Sequence, residues 1–334
     1  MAKKQHQGPS GLIVVDKPAG MTSHDVVSRV RRLAQTRKVG HAGTLDPMAT
    51  GVLILGIGKA TKLLTWIVGE SKTYTATMRL GVATVTDDAE GEPTAFAAQE
   101  RINAINDERL HSESEKLTGD IMQVPASVSA IKVDGVRSYS RVREGEEVEL
   151  AARPVTISEF EVHSQRFEKV ETPEGELTVL DLEVTVSCSS GTYIRSLARD
   201  LGHALGVGGH LTALRRTRIG EIAVENAHSL EHLAQLREEE QPLPLLSLED
   251  AAQKLFDARQ ASALEATDLS NGRRIEPSAP SMRENPAPST AGITAVFAPD
   301  STLVALCENK KWKGEAVAAP VLVFEAGKTF EDIS

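Results

Sequence analysis

The spacing of apolar and polar residues changes several times along this chain, and each change marks an element. Residues 11–15 form a short apolar run that ends in the breaker-rich Asp16-Lys17-Pro18-Ala19-Gly20, which predicts a strand and then a turn. Ser23 suits the N-cap of the next helix, where Val26, Val27, Val30, Leu33 and Ala34 share one face and Arg29, Arg31 and Arg32 lie away from it. Residues 39–59 read as a Gly-rich loop that passes into the apolar run 51–56. Tyr74 to Leu80 alternates, as a half-buried strand does, and 97–120 reads as polar helix. From 125 to 153 large apolar groups are few, and Lys132, Arg137, Arg141 and Arg143 give that stretch the texture of a long excursion from the core. Alternation returns at Leu180, Leu182, Val184, Val186 and Cys188, which makes Cys188 a buried strand residue. A helix follows with Ile194, Leu197, Ala198, Leu201 and Leu205 as its buried stripe, and this pattern puts Arg195 and Arg199 on the exposed face.

Beyond residue 236 the texture shifts. Glu238, Glu239 and Glu240 with Pro242 and Pro244 predict a linker, so the chain divides into 1–240, with 125–153 as an insertion, and a smaller module at 248–330. In that module the pattern predicts a helix near 249–266 and strands at 293–298, 303–308 and 320–325. The Pro/Ser-rich 277–290 between them reads as a disordered loop. No internal repeat is visible.

Composition narrows the class. With 40% hydrophobic and 25% charged residues among 334, the chain has the make-up of a soluble globular protein. Its two cysteines cannot build a disulfide framework, and no Cys/His spacing suggests structural zinc. No apolar run approaches the ~20 residues of a membrane helix, and the basic opening has no apolar stretch behind it, so a cytoplasmic location with no membrane partner is expected. The net charge of −10 hides a division: residues 1–80 carry +8 and the remainder −18, while 191–220 holds five arginines against Asp200 alone. Local potential decides where a polyanion docks, so two basic islands keep a nucleic-acid partner open, although segregated charge also describes ordinary solvated faces.

Several familiar signals fail. Around Gly56-Ile57-Gly58-Lys59, Leu53 stands where a phosphate loop needs its first glycine, and Ala60 stands where Ser or Thr should hold magnesium. Gly206-Val207-Gly208-Gly209 has Leu211 in place of the third glycine of a dinucleotide fingerprint. His228 and His232 are four apart, but Ser229 replaces the glutamate of a zinc-protease helix. No cofactor or metal motif stands.

The chemically informative stretch is Gly40-His41-Ala42-Gly43-Thr44-Leu45-Asp46-Pro47-Met48-Ala49-Thr50-Gly51-Val52-Leu53. Its glycines permit tight backbone shapes and Pro47 stiffens the turn after Asp46, so one carboxylate is presented on a rigid loop. A lone Asp in such a loop is ordinarily a turn-former. This segment, however, closely resembles the catalytic motif of TruB-type tRNA pseudouridine synthases. Four further segments resemble that family's motifs in the family's order: 15–23 its opening motif, Lys72-Thr73-Tyr74 its tyrosine-bearing strand, 124–139 the start of its RNA-gripping insertion, and 188–202 with Leu214-Arg215-Arg216 its later motifs.

The resemblance implies an α+β pseudouridine synthase fold with a mixed, mainly antiparallel central sheet. It implies an isomerase that converts the uridine at position 55 of the tRNA T-loop to pseudouridine without a cofactor. Asp46 matches the nucleophile, Tyr74 the residue that stacks on the flipped base, and Arg195 the cation that pairs with the aspartate. His41, Tyr193 and Leu214 match groups around the target nucleotide. Lys17, in the opening motif, and Lys132 and Arg141, in the insertion, are expected to bind RNA, with the insertion closing over it. Residues 272–275 and 293–308 resemble a PUA-type RNA-binding module. The expected partner is the T-arm of tRNA, with no guide RNA and no obligatory protein partner, since the extra terminal segments of guide-dependent relatives are not found. A tRNA-folding factor using the same cleft without chemistry is the rival class, which the intact Asp46, Tyr74 and Arg195 argue against.

Overall fold

The computed structural model describes residues 9–126, 150–173, 175–281, 283 and 286–332, together with the backbone of a short hairpin, Lys132–Val133 with Val136–Arg137. Among these residues a nine-stranded sheet forms the larger part. Its main path runs Gly11–Lys17, Thr50–Ile57, Gly209–Ile219, Lys72–Leu80, Gly175–Cys188, Arg153–Thr172 and Gly119–Gln123. Every pairing in it is antiparallel except one. Arg215 and Arg216 run parallel to Thr50 and Gly51, where the two halves of the sheet meet. That junction needs glycine at 51: its φ is +98°, and a Cβ there would lie 2.2 Å from the Arg216 carbonyl oxygen.

Helices cover the sheet where the strands turn apolar residues outward. Ile194–Ala204 lays Leu197, Ala198 and Leu201 on Met78, Leu80, Leu182 and Val184, all buried in one core. Ser23–Leu33 and Leu230–Glu238 close a second core over Val15, Leu53 and Leu55. The C-terminal part has its own sheet, Asp257–Gln260, Ile293–Phe297, Leu303–Trp312 and Glu315–Val323, in that order. It does not stand apart, because Phe256, Phe297, Leu303 and Phe324 share a core with Leu12, Val52 and Ile54 of the large sheet and with Leu63 just beyond it.

Local expectations shift in six places. The first helix is capped by Thr22 in a capping box with Asp25, so Ser23 is already inside it. Val39–Ala42 is a strand rather than loop, paired with Thr50–Ile57. The polar stretch 97–120 breaks into Gln99–Asn103 and Asp107–Lys116 before the edge strand Gly119–Gln123. Arg153–Thr172 and Gly175–Cys188 form one long hairpin, in which alternation survives only where the strands reach the core. The helix expected at 249–266 is two, Leu248–Leu255 and Ala263–Ser270, because Asp257–Gln260 pairs with Ile293–Phe297 between them. Within 277–290, Ser278 and Thr290 are buried, the Ser278 N–H donates to Asn309 at 2.9 Å, and Ser289 Oγ donates to the Trp66 carbonyl at 3.0 Å, so these residues are packed rather than disordered. Among the described residues no helix is long and apolar enough to cross a membrane.

Candidate active site

The turn carrying Asp46 is fixed from four sides. Ser23 Oγ both donates to the Leu45 carbonyl (3.1 Å) and accepts the Leu45 N–H (2.9 Å). Lys17 Nζ donates to the carbonyls of Pro18, Pro47 and Ala49 at 2.9, 3.1 and 2.6 Å. The Gly20 N–H donates to the Pro47 carbonyl at 2.9 Å. Arg216, buried, reaches across from the neighbouring strand to the carbonyls of Val52 (2.8 Å) and Gly43 (3.1 Å). Leu45 and Ala49 point into the core, whereas the Asp46 side chain stays 36% exposed. Preorganisation of this kind spends folding energy to hold one carboxylate in place.

Arg195 faces it. Its Nε lies 3.0 Å from Asp46 Oδ2, with the arginine side chain 5% exposed and the aspartate 36%. The same guanidinium donates to the Thr86 carbonyl at 2.8 Å and stands 3.4 Å from Asp88. A buried cation held by a carbonyl and a second carboxylate cannot swing away, so Asp46 keeps its counter-charge. Helical periodicity put Arg195 on a solvated face; the structure buries it, because the Thr86–Asp88 turn folds over that side of the helix and supplies its partners.

These groups line one cleft of about 300 Å3, whose wall includes Asp46, Lys72, Tyr74, Tyr193, Arg195, Leu214 and Arg216. Burial raises the Tyr74 phenol above its usual pKa, with Arg216 acting against it. Burial, then the Arg216 charge, lowers Lys72 to about 8, while its Nζ donates to the carbonyls of Val68 and Glu70 at 3.0 and 2.6 Å.

Five expected site residues, Asp46, Tyr74, Tyr193, Arg195 and Leu214, therefore meet in the cleft. Two do not. Lys17 is 0% exposed and gives its ammonium to three carbonyls, so it holds the turn; burial lowers its pKa to about 8. His41 is half-buried beneath the turn, edge-on to His24 at 5.5 Å between ring centres, and its pKa is lowered first by burial and then by His24. Lys132 and Arg141 lie outside the described side chains. Sequence reasoning missed Lys72, Asp88 and Arg216 as members of the site. Arg216 was within reach, since it shares strand parity with Leu214; Asp88 was not, because its role depends on a turn with no pattern of its own. His228 and His232 stack at 5.5 Å, and among the described residues no group of three or more His, Cys, Asp or Glu could hold a metal.

An α+β enzyme with an aspartate–arginine pair set in a cleft of a mixed sheet is the class that fold and site define. The family profile described as TruB family pseudouridylate synthase, N-terminal domain, matches residues 31–194. Profiles for the C-terminal domain of tRNA pseudouridylate synthase B and the C-terminal part of tRNA pseudouridine synthase II match 195–252 and 256–325. The chain belongs to the TruB family of pseudouridylate synthases. It is 57% identical over 316 residues to the tRNA pseudouridine synthase B of Arthrobacter sp. (strain FB24), which covers 94% of this chain and 96% of that one. It is 50% identical to that of Thermobifida fusca (strain YX), over 94% and 98% of the two chains. Among solved structures, an H/ACA ribonucleoprotein bound to a substrate RNA containing 2′-deoxyuridine matches with a TM-score of 0.65 at 21% identity, covering 96% of this chain and 87% of that one, a likeness of fold. The architecture is the pseudouridine synthase fold, and the four-stranded C-terminal sheet is compatible with a PUA-like module.

Proposed function

We propose that this chain isomerises the uridine at position 55 in the tRNA T-loop to pseudouridine, with Asp46 as nucleophile, working without a guide RNA or partner protein in the cytoplasm. The observation that carries this reading is the ion pair of Asp46 and Arg195 at 3.0 Å, set in a cleft that Tyr74, Tyr193 and Leu214 line together with the cations Lys72 and Arg216. A target base stacked inside the RNA elbow has to be extruded, at a cost of a few kcal/mol, and the Tyr74 ring with Leu214 offers it a stacking surface in exchange. Asp46 attacks the sugar or the base and the bond from N1 to C1′ breaks. The freed uracil rotates, C5 bonds to C1′, the bond to Asp46 breaks and frees its carboxylate, the proton leaves C5 and N1 takes one up, so composition is unchanged. Arg195 keeps the attacking carboxylate oriented throughout.

Asp46→Asn tests this. It preserves shape and removes the nucleophile, so turnover of unmodified tRNA transcript should vanish while tRNA binding persists. Pseudouridine formation within about tenfold of wild type, a barrier change under ~1.4 kcal/mol, overturns the assignment.

A further inference from the structure

Where the chain leaves the sheet for the basic insertion, it is fastened to the helix that carries Arg195. Gln123 ends the edge strand Gly119–Gln123 and is 1% exposed. It spends both ends of its amide on one residue: Nε2 donates to the Tyr193 carbonyl at 3.0 Å, and Oε1 accepts the Tyr193 N–H at 2.8 Å. Tyr193 is the N-cap residue of Ile194–Ala204 and has an extended backbone with no side-chain cap. The next residue, Val124, accepts Arg199 Nη2 at 2.7 Å, and Arg199 Nη1 also donates to Asp87 at 3.2 Å. Thus two consecutive residues at the root of the insertion grip one helix at its start and nearly two turns further on.

We infer that Gln123 is a positioning residue for the isomerisation: it sets the peptide that enters the helix, so that Tyr193 borders the cleft and Arg195 faces Asp46. This rests on the function proposed above. Two hydrogen bonds from one planar amide to both polar atoms of a single residue leave the peptide one orientation, as a strand partner would. The peptide so held is two residues from the guanidinium that pairs with the nucleophile. A small tilt of the helix start would open the 3.0 Å contact, and misplacements of about 1 Å at a reacting centre cost on the order of 100-fold in rate. Gln123 itself is not among the residues lining the cleft, so its effect passes through Tyr193 and Arg195.

The test compares wild type, Gln123→Met and Gln123→Glu in single-turnover assays with enzyme in saturating excess over tRNA, with tRNA affinity and melting temperature measured in parallel. Gln123→Met keeps the volume and loses both hydrogen bonds; it should slow the reaction about tenfold or more while affinity stays within about threefold. Gln123→Glu keeps the acceptor and turns the donor into a second acceptor facing a carbonyl. It should be impaired near pH 8 and regain activity relative to wild type toward about pH 5.5, where the introduced carboxyl takes a proton and can donate to Tyr193. A lowered melting temperature with the saturated rate unchanged, or a loss confined to affinity, overturns the inference. If Gln123→Met does not fold, the pH ratio of Gln123→Glu decides: recovery supports the inference and a flat ratio overturns it. An inactive wild type would overturn the function itself, whereas an active wild type with unaffected variants overturns the role of Gln123 alone.

Discussion

The large sheet and the C-terminal module treat charge in opposite ways. Around the large sheet Lys17, Lys72, Asp87, Asp88, Asp181, Arg195, His210 and Arg216 are all buried. In the C-terminal module the buried polar groups among the described residues are Ser270, Ser278, Thr290 and Thr294, with no carboxylate or basic side chain among them. Its arginines and lysines stand outside instead, at Arg273 and Arg274 and along Lys310, Lys311 and Lys313, with Arg274 lying 3.7 Å over the Trp312 ring. Burying an ion costs several kcal/mol unless partners replace its water, so a fold gains little from doing it repeatedly. Most of the buried ions here belong to the cleft or to the turn beside it, which marks that region as the one where placement outranks stability.

The sharpest break in this contrast comes from Arg195→Met. It leaves Asp46 and the buried Asp88 without their shared cation, and removing one partner of a buried pair costs about 3 kcal/mol or more. Chemical denaturation should show that loss, together with turnover down by at least about 100-fold. Unchanged stability would mean that the buried Asp88 does not depend on Arg195.

A smaller effect, with a defined sign, is expected at Asp87, which burial raises to about 6 despite Arg199 at 3.2 Å. Its unfolded value is about 3.9, so between pH ~4 and ~6 the folded state binds more protons than the unfolded one, and stability falls as pH rises through that window. Asp87→Asn lacks this term. Wild type should therefore lose stability relative to the variant from pH ~4 to ~6, which melting curves across that range will show. The opposite slope would mean that pairing with Arg199 outweighs burial.

The smallest effect belongs to the module. Arg273 pairs with Asp268 at 3.0 Å with its side chain 72% exposed, so Arg273→Ala should change unfolding free energy by less than about 0.5 kcal/mol. A loss comparable to that of Arg195→Met would erase the distinction between the two regions.

Much of the fold was legible before any coordinates. The strands at Gly11–Lys17 and Lys72–Leu80 and the helix Ile194–Ala204 follow from periodicity, because each buries one face against a continuous apolar surface. The boundaries that slipped did so where pairing, not pattern, ended an element. Asp257–Gln260 interrupts a helical stretch because a strand lies beside it, and Val39–Ala42 is a strand because Thr50–Ile57 lies beside it. The first strand of the long hairpin, Arg153–Thr172, carries no such signal because most of it stands clear of the core, where no alternation is enforced.

The same division runs through the site. Local order in the chain was enough to mark the Asp46 turn, since Gly43 and Gly51 permit the positive φ it uses and Pro47 stiffens the backbone between them, and the motifs around it pointed to Tyr74, Tyr193, Arg195 and Leu214. It could not tell which charged groups go inside. Lys17, expected on RNA, serves three carbonyls 1, 30 and 32 residues away in sequence, and Arg195, expected in solvent by its helical position, is held by Thr86 and Asp88. A pattern records what a residue's own element does with its faces. Whether a charge can be buried depends on which carbonyls and carboxylates distant strands bring within about 3 Å of it, and only the assembled sheet decides that.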